Sequence, residues 1–250
     1  MGIAACQPKI LSYHKKTHFE YAGAAGGWMD FLGYPFCKGR IFEELEADEN
    51  QYDEAEEIFW ASGACMVVRA DKFHALGGFD NSYFAHMEEI DLCWRLKNAG
   101  YKIMSCPQSV VFHVGGGTLD YENPRKTFLN FRNSLATLLK NERKRKLFWL
   151  IPLRLVLDGL AGVKFLFDGK WKNTVAIIKA HFAFYAMSPK LLAKRLKNRK
   201  RINANVYLKK YNSTGIYRGS VVWNYYLKRK KRFNELFAES HNAKKGYNDK

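Results

Sequence analysis

The sequence predicts an α/β domain followed by a mostly helical, basic tail, and three observations carry that prediction. The front half alternates short apolar runs with one well-marked helix. Charge divides sharply: residues 1–123 hold 10 Lys+Arg against 18 Asp+Glu, whereas residues 124–250 hold 31 against 6. The rear half carries long apolar stretches set between basic runs. The boundary is therefore placed at Asn123-Pro124, with a motif-bearing half over 1–123 and a basic helical tail over 124–250. With 250 residues and 47% hydrophobic content, the chain can bury a sizeable core. Five cysteines, odd in number and without a Cys-x-x-Cys pair, speak against a disulfide framework or a zinc site and for a reducing compartment. Residues 1–11 lack the basic start and long apolar run of a signal peptide.

Taken in order, residues 3–11 (IAACQPKIL) read as a short strand interrupted by Pro8, hence an edge strand or a strand end. Ala22–Gly27 is a small-residue turn. Residues 43–57 contain nine acids and no base, and read as a solvated loop or helix. Cys65–Val68 forms a buried strand, and Gly77-Gly78-Phe79-Asp80 a turn that Asp80 fixes. A helix then runs to Gly100, which can occupy the left-handed C′ position without a Cβ clash. Two apolar runs follow, Ile103–Cys106 and Val110–Val114, the second carrying His113 into Gly115-Gly116-Gly117. Those glycines suit either a hinge over a ligand or a plain turn.

The chain centres on Glu88-Glu89-Ile90-Asp91. On a helix Glu88, Asp91 and Arg95 share a face, and Asp91 with Arg95 makes an i,i+4 pair in the favourable acid-first order. Adjacent carboxylates at a helix start raise each other's pKa, while the helix dipole lowers both. That arrangement can hold one of them as a working base; it also suits plain capping electrostatics.

Gly63-Ala64-Cys65, Arg69, Gly77-Gly78-Phe79-Asp80, Phe84, Glu88-Glu89-Ile90-Asp91-Leu92-Cys93-Trp94-Arg95 and His113 together resemble the second half of a family 2 glycosyltransferase, closest to its rhamnosyltransferase-like branch. The resemblance covers about residues 3–140 and rests on the order and spacing of four motifs. It implies a GT-A type domain and an inverting transfer of sugar from a nucleotide-sugar donor to a polysaccharide or lipid-linked acceptor. On this resemblance Glu89, with Glu88, supplies the catalytic base, and His113 completes a site for Mn²⁺ or Mg²⁺. Trp60, Gly63 and Ala64 line the sugar site, although core packing accounts for Trp60 as well. Asp91 and Arg95 stand on the substrate side as braces of the acidic pair. Glu89 stands where Asp is commoner in the family. No Asp-x-Asp occurs, and the opening strand resembles the one that follows that motif. An incomplete domain is therefore expected, starting about a hundred residues late.

The tail opens with a helix from Pro124 through Asn141, where Asn130, Arg132 and Asn133 resemble the family's segment after the glycine loop. Residues 147–167 are long enough to span a bilayer, but Arg154, Asp158 and Lys164 fall inside. Each such charge costs about 2.5–3.5 kcal/mol at a helix centre, so lying in the interface is cheaper. A second apolar patch, Thr174–Met187, ends at Pro189, and basic runs follow at 194–201 and 228–232. These features predict a peripheral tail on an anionic membrane surface, at the cytoplasmic inner face of the cell membrane. Two other classes fit parts of the pattern. One is a non-catalytic membrane-associated module; the other is a basic nucleic-acid-binding protein using Tyr207, Tyr211, Tyr217, Trp223, Tyr225 and Tyr226. The absence of a recognition motif disfavours nucleic acid.

Overall fold

The computed structural model describes residues 2–115, 123–207 and 211–238. In chain order these form β1 (Ile3–Ser12), β2 (Gly27–Asp30), β3 (Pro35–Cys37), β4 (Arg40–Ile41), β5 (Glu44–Leu45), β6 (Glu57–Ile58) and β7 (Val67–Val68). Then come α1 (Ala70–Ala75), α2 (Glu88–Asn98), β8 (Lys102–His113), α3 (Pro124–Asn141), α4 (Lys144–Phe167), α5 (Trp171–Ala204), β9 (Ile216–Tyr217) and α6 (Val221–Tyr226). The chain divides into two compact units. One comprises Met1–Ala4, Val68–Lys102 and Gly116–Asn212; the other comprises Ala5–Val67, Ile103–Gly115 and Ser213–Lys250. None of the five cysteines is bridged.

The sheet unit holds two sheets, with strand orders β6-β8-β1-β7 and β5-β4-β3-β2-β9. Phe19, Phe36, Phe59, Ile10, Met29 and Ile58 are buried in it. Three sequence expectations change here. β1 runs straight through Pro8 as a ten-residue strand. The two apolar runs after Gly100 are one strand, β8, with Pro107 inside it. The acidic stretch 43–57 is tied down as well as solvated: Lys9 reaches Asp48 at 2.9 Å and also Asp53, and Tyr52 is buried.

The rear half is also not one helical tail. β9 pairs parallel with β2, setting Met29 opposite Ile216 and Asp30 opposite Tyr217. Asp30 Oδ2 accepts from the Val221 amide at 3.0 Å, and Glu46 Oε1 from the Phe233 amide at 2.9 Å. Phe233 and Phe237 meet the Trp28 ring at 5.4 and 5.1 Å. Tyr217, Tyr225 and Tyr226 meet rings of the same unit. These aromatic residues near the C-terminus complete a core built on the front half.

The helical unit is organised by α3, against which α2, α4 and α5 pack. Its sequence starts it cleanly: Asn123 Oδ1 accepts from the Arg125 amide at 2.8 Å, and Pro124 occupies the first turn, where no amide donor is needed. At the end of α2, Gly100 takes φ +86°, with Gly100 N bonded to Lys97 O and Tyr101 N to Leu96 O, as its place in the sequence predicts. The same motif at Gly169 (φ +75°) turns α4 into α5. α5 does not end before Pro189 but continues to Ala204. An interior proline costs about 3 kcal/mol, and burial of Phe184 and Leu191 on either side of it helps offset that cost. Among the described residues no helix is long and apolar enough to cross a membrane.

Candidate functional site

The segment that delivers the acidic pair is strained and clamped. Phe84, His86 and Met87 carry φ of +67°, +67° and +74° without a glycine among them. Left-handed conformations of this kind cost about 1–2 kcal/mol per residue unless the surroundings fix them. Asn133 of α3 does so. Its Nδ2 donates to the carbonyls of Tyr83 (3.1 Å), Ala85 (2.8 Å) and His86 (2.8 Å). Arg132 Nη2 adds bonds to Ser82 O and Tyr83 O at 3.3 and 2.9 Å. The chain therefore enters α2 directly from left-handed Met87, with no side-chain cap, and Glu88 and Glu89 occupy the first turn.

Both acids keep one oxygen, Oε2, shut from solvent and without a hydrogen-bond partner. Burial, and then the charge of Glu88, pushes the Glu89 carboxyl up to about 7, outweighing the backbone amides at the helix start. His86 is similar: its Nε2 is buried without a partner, and burial followed by the charge of Lys126 lowers its pKa.

Asp91 and Arg95 are turned inward, at 0% and 2% exposure. Arg95 grips Asp91 Oδ2 through Nε (3.1 Å) and Nη2 (2.9 Å), and donates to Leu76 O and Gly78 O. Asp91 Oδ1 takes Lys140 at 2.9 Å, Asn141 at 2.7 Å and the Tyr83 hydroxyl at 3.3 Å. Lys140 also reaches Asp80 Oδ2 at 2.7 Å, and Lys194 pairs with Asp80 Oδ1. Burial opposes ionisation of Asp91, but Arg95 and Lys140 outweigh it and hold its carboxyl below the usual range. Asp80 is lowered in the same way by Lys140 and Lys194 against burial. This network leaves Asp91 and Arg95 facing no solvent; they brace α2. Asp80 fixes its turn as expected, accepting from the Ser82 amide at 3.0 Å.

The other sequence candidates lie in the sheet unit. Trp60 is buried, and its indole N–H donates to Trp28 O at 2.9 Å. Its ring packs so closely over Gly27 that a Cβ there would overlap it. That is a core placement. Gly63 and Ala64 are exposed on a turn headed by buried Ser62, whose Oγ accepts from the Ala64 amide at 3.2 Å. His113 is half-exposed, its Nδ1 3.3 Å from Glu20 Oε2. Among the described residues no group of three His, Cys, Asp or Glu side chains is placed to hold a metal ion. His113 with Glu20 offers two ligands, whereas Mg²⁺ or Mn²⁺ normally takes about six, mainly oxygen. Among the described residues the donor set does not fit a resident metal. Gly116 and Gly117, the proposed hinge, lie outside the described residues.

Sequence reasoning gave no role to the Asn133 clamp, to Lys140 or to His86. Positive φ at a non-glycine residue leaves no mark in residue type, so only the backbone reveals the strain.

No family model matches the chain. Over 134 residues it is 30% identical to N-acetylglucosaminyl-diphospho-decaprenol L-rhamnosyltransferase of Mycobacterium tuberculosis, covering 54% of this chain and 42% of that protein. It is 41% identical over 56 residues to rhamnosyltransferase WbbL of Escherichia coli, or 22% of this chain and 21% of that one. With low-salt glycan biosynthesis hexosyltransferase Agl10 of Haloferax volcanii it shares 27% over 114 residues, 44% of this chain and 36% of that protein. The chain thus spans less than half the length of these curated relatives. They are rhamnosyl- and hexosyltransferases, in agreement with the resemblance to family 2 glycosyltransferases.

Proposed function

We propose that this chain carries the general-base half of an inverting glycosyl transfer, from a nucleotide-sugar to a hydroxyl of a polysaccharide or lipid-linked acceptor. The observation that carries the reading is Glu89: a carboxyl raised to about 7, at a helix start, delivered by a clamped and strained segment. A base of that pKa is half ionised near neutral pH and stronger than an ordinary carboxylate, which is what proton abstraction from an alcohol needs. Glu89 takes the acceptor's hydroxyl proton as that oxygen bonds to the anomeric carbon. The bond to the nucleoside diphosphate breaks on the opposite face, and the leaving group departs with the electron pair. Burial, and then the charge of Glu88, keeps the Glu89 pKa high. Asn133, Arg132 and the Asp91–Arg95–Lys140 network hold the pair in place. The names of the relatives support a rhamnosyl or hexosyl group as the one transferred, with a polyprenyl-diphosphate sugar among the acceptors to try.

The test is transfer from nucleotide-activated rhamnose to polyprenyl-diphosphate N-acetylglucosamine, in a fusion that carries a family 2 nucleotide-binding half. Glu89→Gln keeps the shape and removes the base, so kcat should fall about 10²-fold or more with little change in KM. Near-normal turnover of Glu89→Gln, with loss in Glu88→Gln, would assign the base to the other acid.

A further inference from the structure

The pair of helices α4 and α5 is inside out. On α4 the buried positions are Leu150, Arg154, Asp158 and Gly162, so the helix turns two charges inward. Arg154 Nη2 donates to Ser134 Oγ of α3 at 2.8 Å, and Asp158 Oδ2 lies 3.4 Å from His181 Nε2 of α5. Asn173 of α5 reaches Thr127 of α3 at 3.2 Å, and Arg195 reaches Leu139 O at 2.7 Å. The opposite side of α4 is apolar and open: Trp149, Leu153, Val156, Leu160, Val163 and Phe167 are all exposed, Phe167 at 88%. At about 100° per residue these six fall within roughly 80° of arc, a stripe about 27 Å long. α5 repeats the pattern with Trp171, Val175, Ile178, Phe182, Tyr185, Leu192 and Leu196, Phe182 at 72%, over about 38 Å. Single exposed apolar residues are ordinary, but two continuous stripes over inward-facing charges are not.

Charge identifies what covers these stripes. Lys172, Lys179, Lys190 and Lys197 are exposed, each one residue after Trp171, Ile178, Pro189 and Leu196 on the stripe. They line one border of it, about 100° round, where a long aliphatic stem can follow apolar surface while its ammonium reaches an anion. Residues 143–204 hold 16 Lys+Arg against 2 Asp+Glu. A second copy of the chain would bring like charges together, whereas an anionic lipid surface meets both the stripe and its border. We propose that the outer faces of α4 and α5 seat in the interfacial layer of an anionic bilayer, apolar stripes among the upper acyl chains and lysines among the headgroups. The charges that make residues 147–167 a poor span are not obstacles to this seating, because two of the three are folded inward.

The test is flotation of the full chain with vesicles of three parts phosphatidylcholine to one part phosphatidylglycerol, beside pure phosphatidylcholine. The wild type should float with the mixed vesicles and stay partly bound at high salt, since burial of apolar surface is not screened. Val156→Ser with Phe182→Ser, both at exposed positions, should lower the partition at least tenfold with helix content unchanged by circular dichroism. Replacing the four border lysines by glutamine should weaken the preference for mixed vesicles, at about fivefold per lysine. Bromine-labelled lipid should quench the wild-type tryptophan fluorescence, and less so after Trp149→Phe with Trp171→Phe, a readout that needs no disruptive variant. Absence of flotation together with absence of quenching overturns the proposal. So does a stable dimer in light scattering that Phe182→Ser converts to monomer, which would give the face to a second copy.

Discussion

Glu89→Gln should change the pH dependence of stability in a way that can be worked out in advance. The Glu89 carboxyl stands near 7 in the folded chain and near its ordinary 4.5 when unfolded. Between those values the folded state holds a proton that the unfolded state has released, so stability falls as pH rises through the window and is level on either side. A gap of about 2.5 units at 1.36 kcal/mol per unit makes that loss about 3 kcal/mol. Glutamine cannot ionise, so the variant should lack this fall. Urea unfolding of both proteins from pH 4 to 8, followed by helix circular dichroism, gives the difference between them at each pH. The constant offset from the amide cancels, and the shape of the difference is the measurement. The variant should gain about 3 kcal/mol on the wild type between pH 4.5 and 8. A flat difference, or one of opposite sign, would refute the claim that burial and Glu88 hold this acid protonated. It would remove the physical basis for Glu89 as the base.

Other expectations follow from the same geometry. Asn133→Ala removes the donor to three carbonyls and should cost about 2–4 kcal/mol in urea unfolding, at roughly 1 kcal/mol or more per buried bond; Asn133→Asp, which cannot donate, should fare no better. Lys140→Met leaves Asp80 and Asp91 short of their shared cation and should cost about 3–5 kcal/mol. The pKa values of Asp80 and Asp91 are depressed in the fold, so their stabilisation is complete above about pH 4 and is lost as acid protonates them; the Lys140→Met deficit should shrink in acid titrations. Gly215, at φ +85°, would drive a Cβ into the backbone nitrogen of Phe59. Gly215→Ala should therefore cost about 3 kcal/mol or more and expose residues 213–238 to limited proteolysis.

How much of this could be read from residues alone varies by element. α2 was fully legible, because its acids, its apolar face and Gly100 all point the same way. β8 read as two apolar runs with Pro107 in the gap between them, and the apolar patch of α5 stopped at Pro189, although both elements continue. Tertiary packing overrode a local signal in both cases. Composition marked 147–167 and Thr174–Met187 as apolar but could not say which side faces out; Arg154 and Asp158, read as charges that oppose a membrane span, proved to be core. β9 was out of reach, since Tyr217 pairs with Asp30, 187 residues earlier in the chain. Within the site, the acids were named from the sequence. The strain and clamp that position Glu89, and the burial that raises its carboxyl, were not.

The pairing of β2 with β9 also sets an order of events during synthesis. β2 leaves the ribosome some 190 residues before the segment that completes its sheet. At about 5–20 residues per second that is a wait of roughly 10–40 s. For that interval the nascent chain carries an open strand edge and the apolar rings of Trp28 and Phe36, while five helices are made in between. Long-range pairing of this kind is slow to close and prone to capture by other chains. Yield in a cell should therefore depend on chaperone supply more than final stability suggests. A nonsense change that spares every helix up to Ala204 would still leave the first-made sheet unfinished.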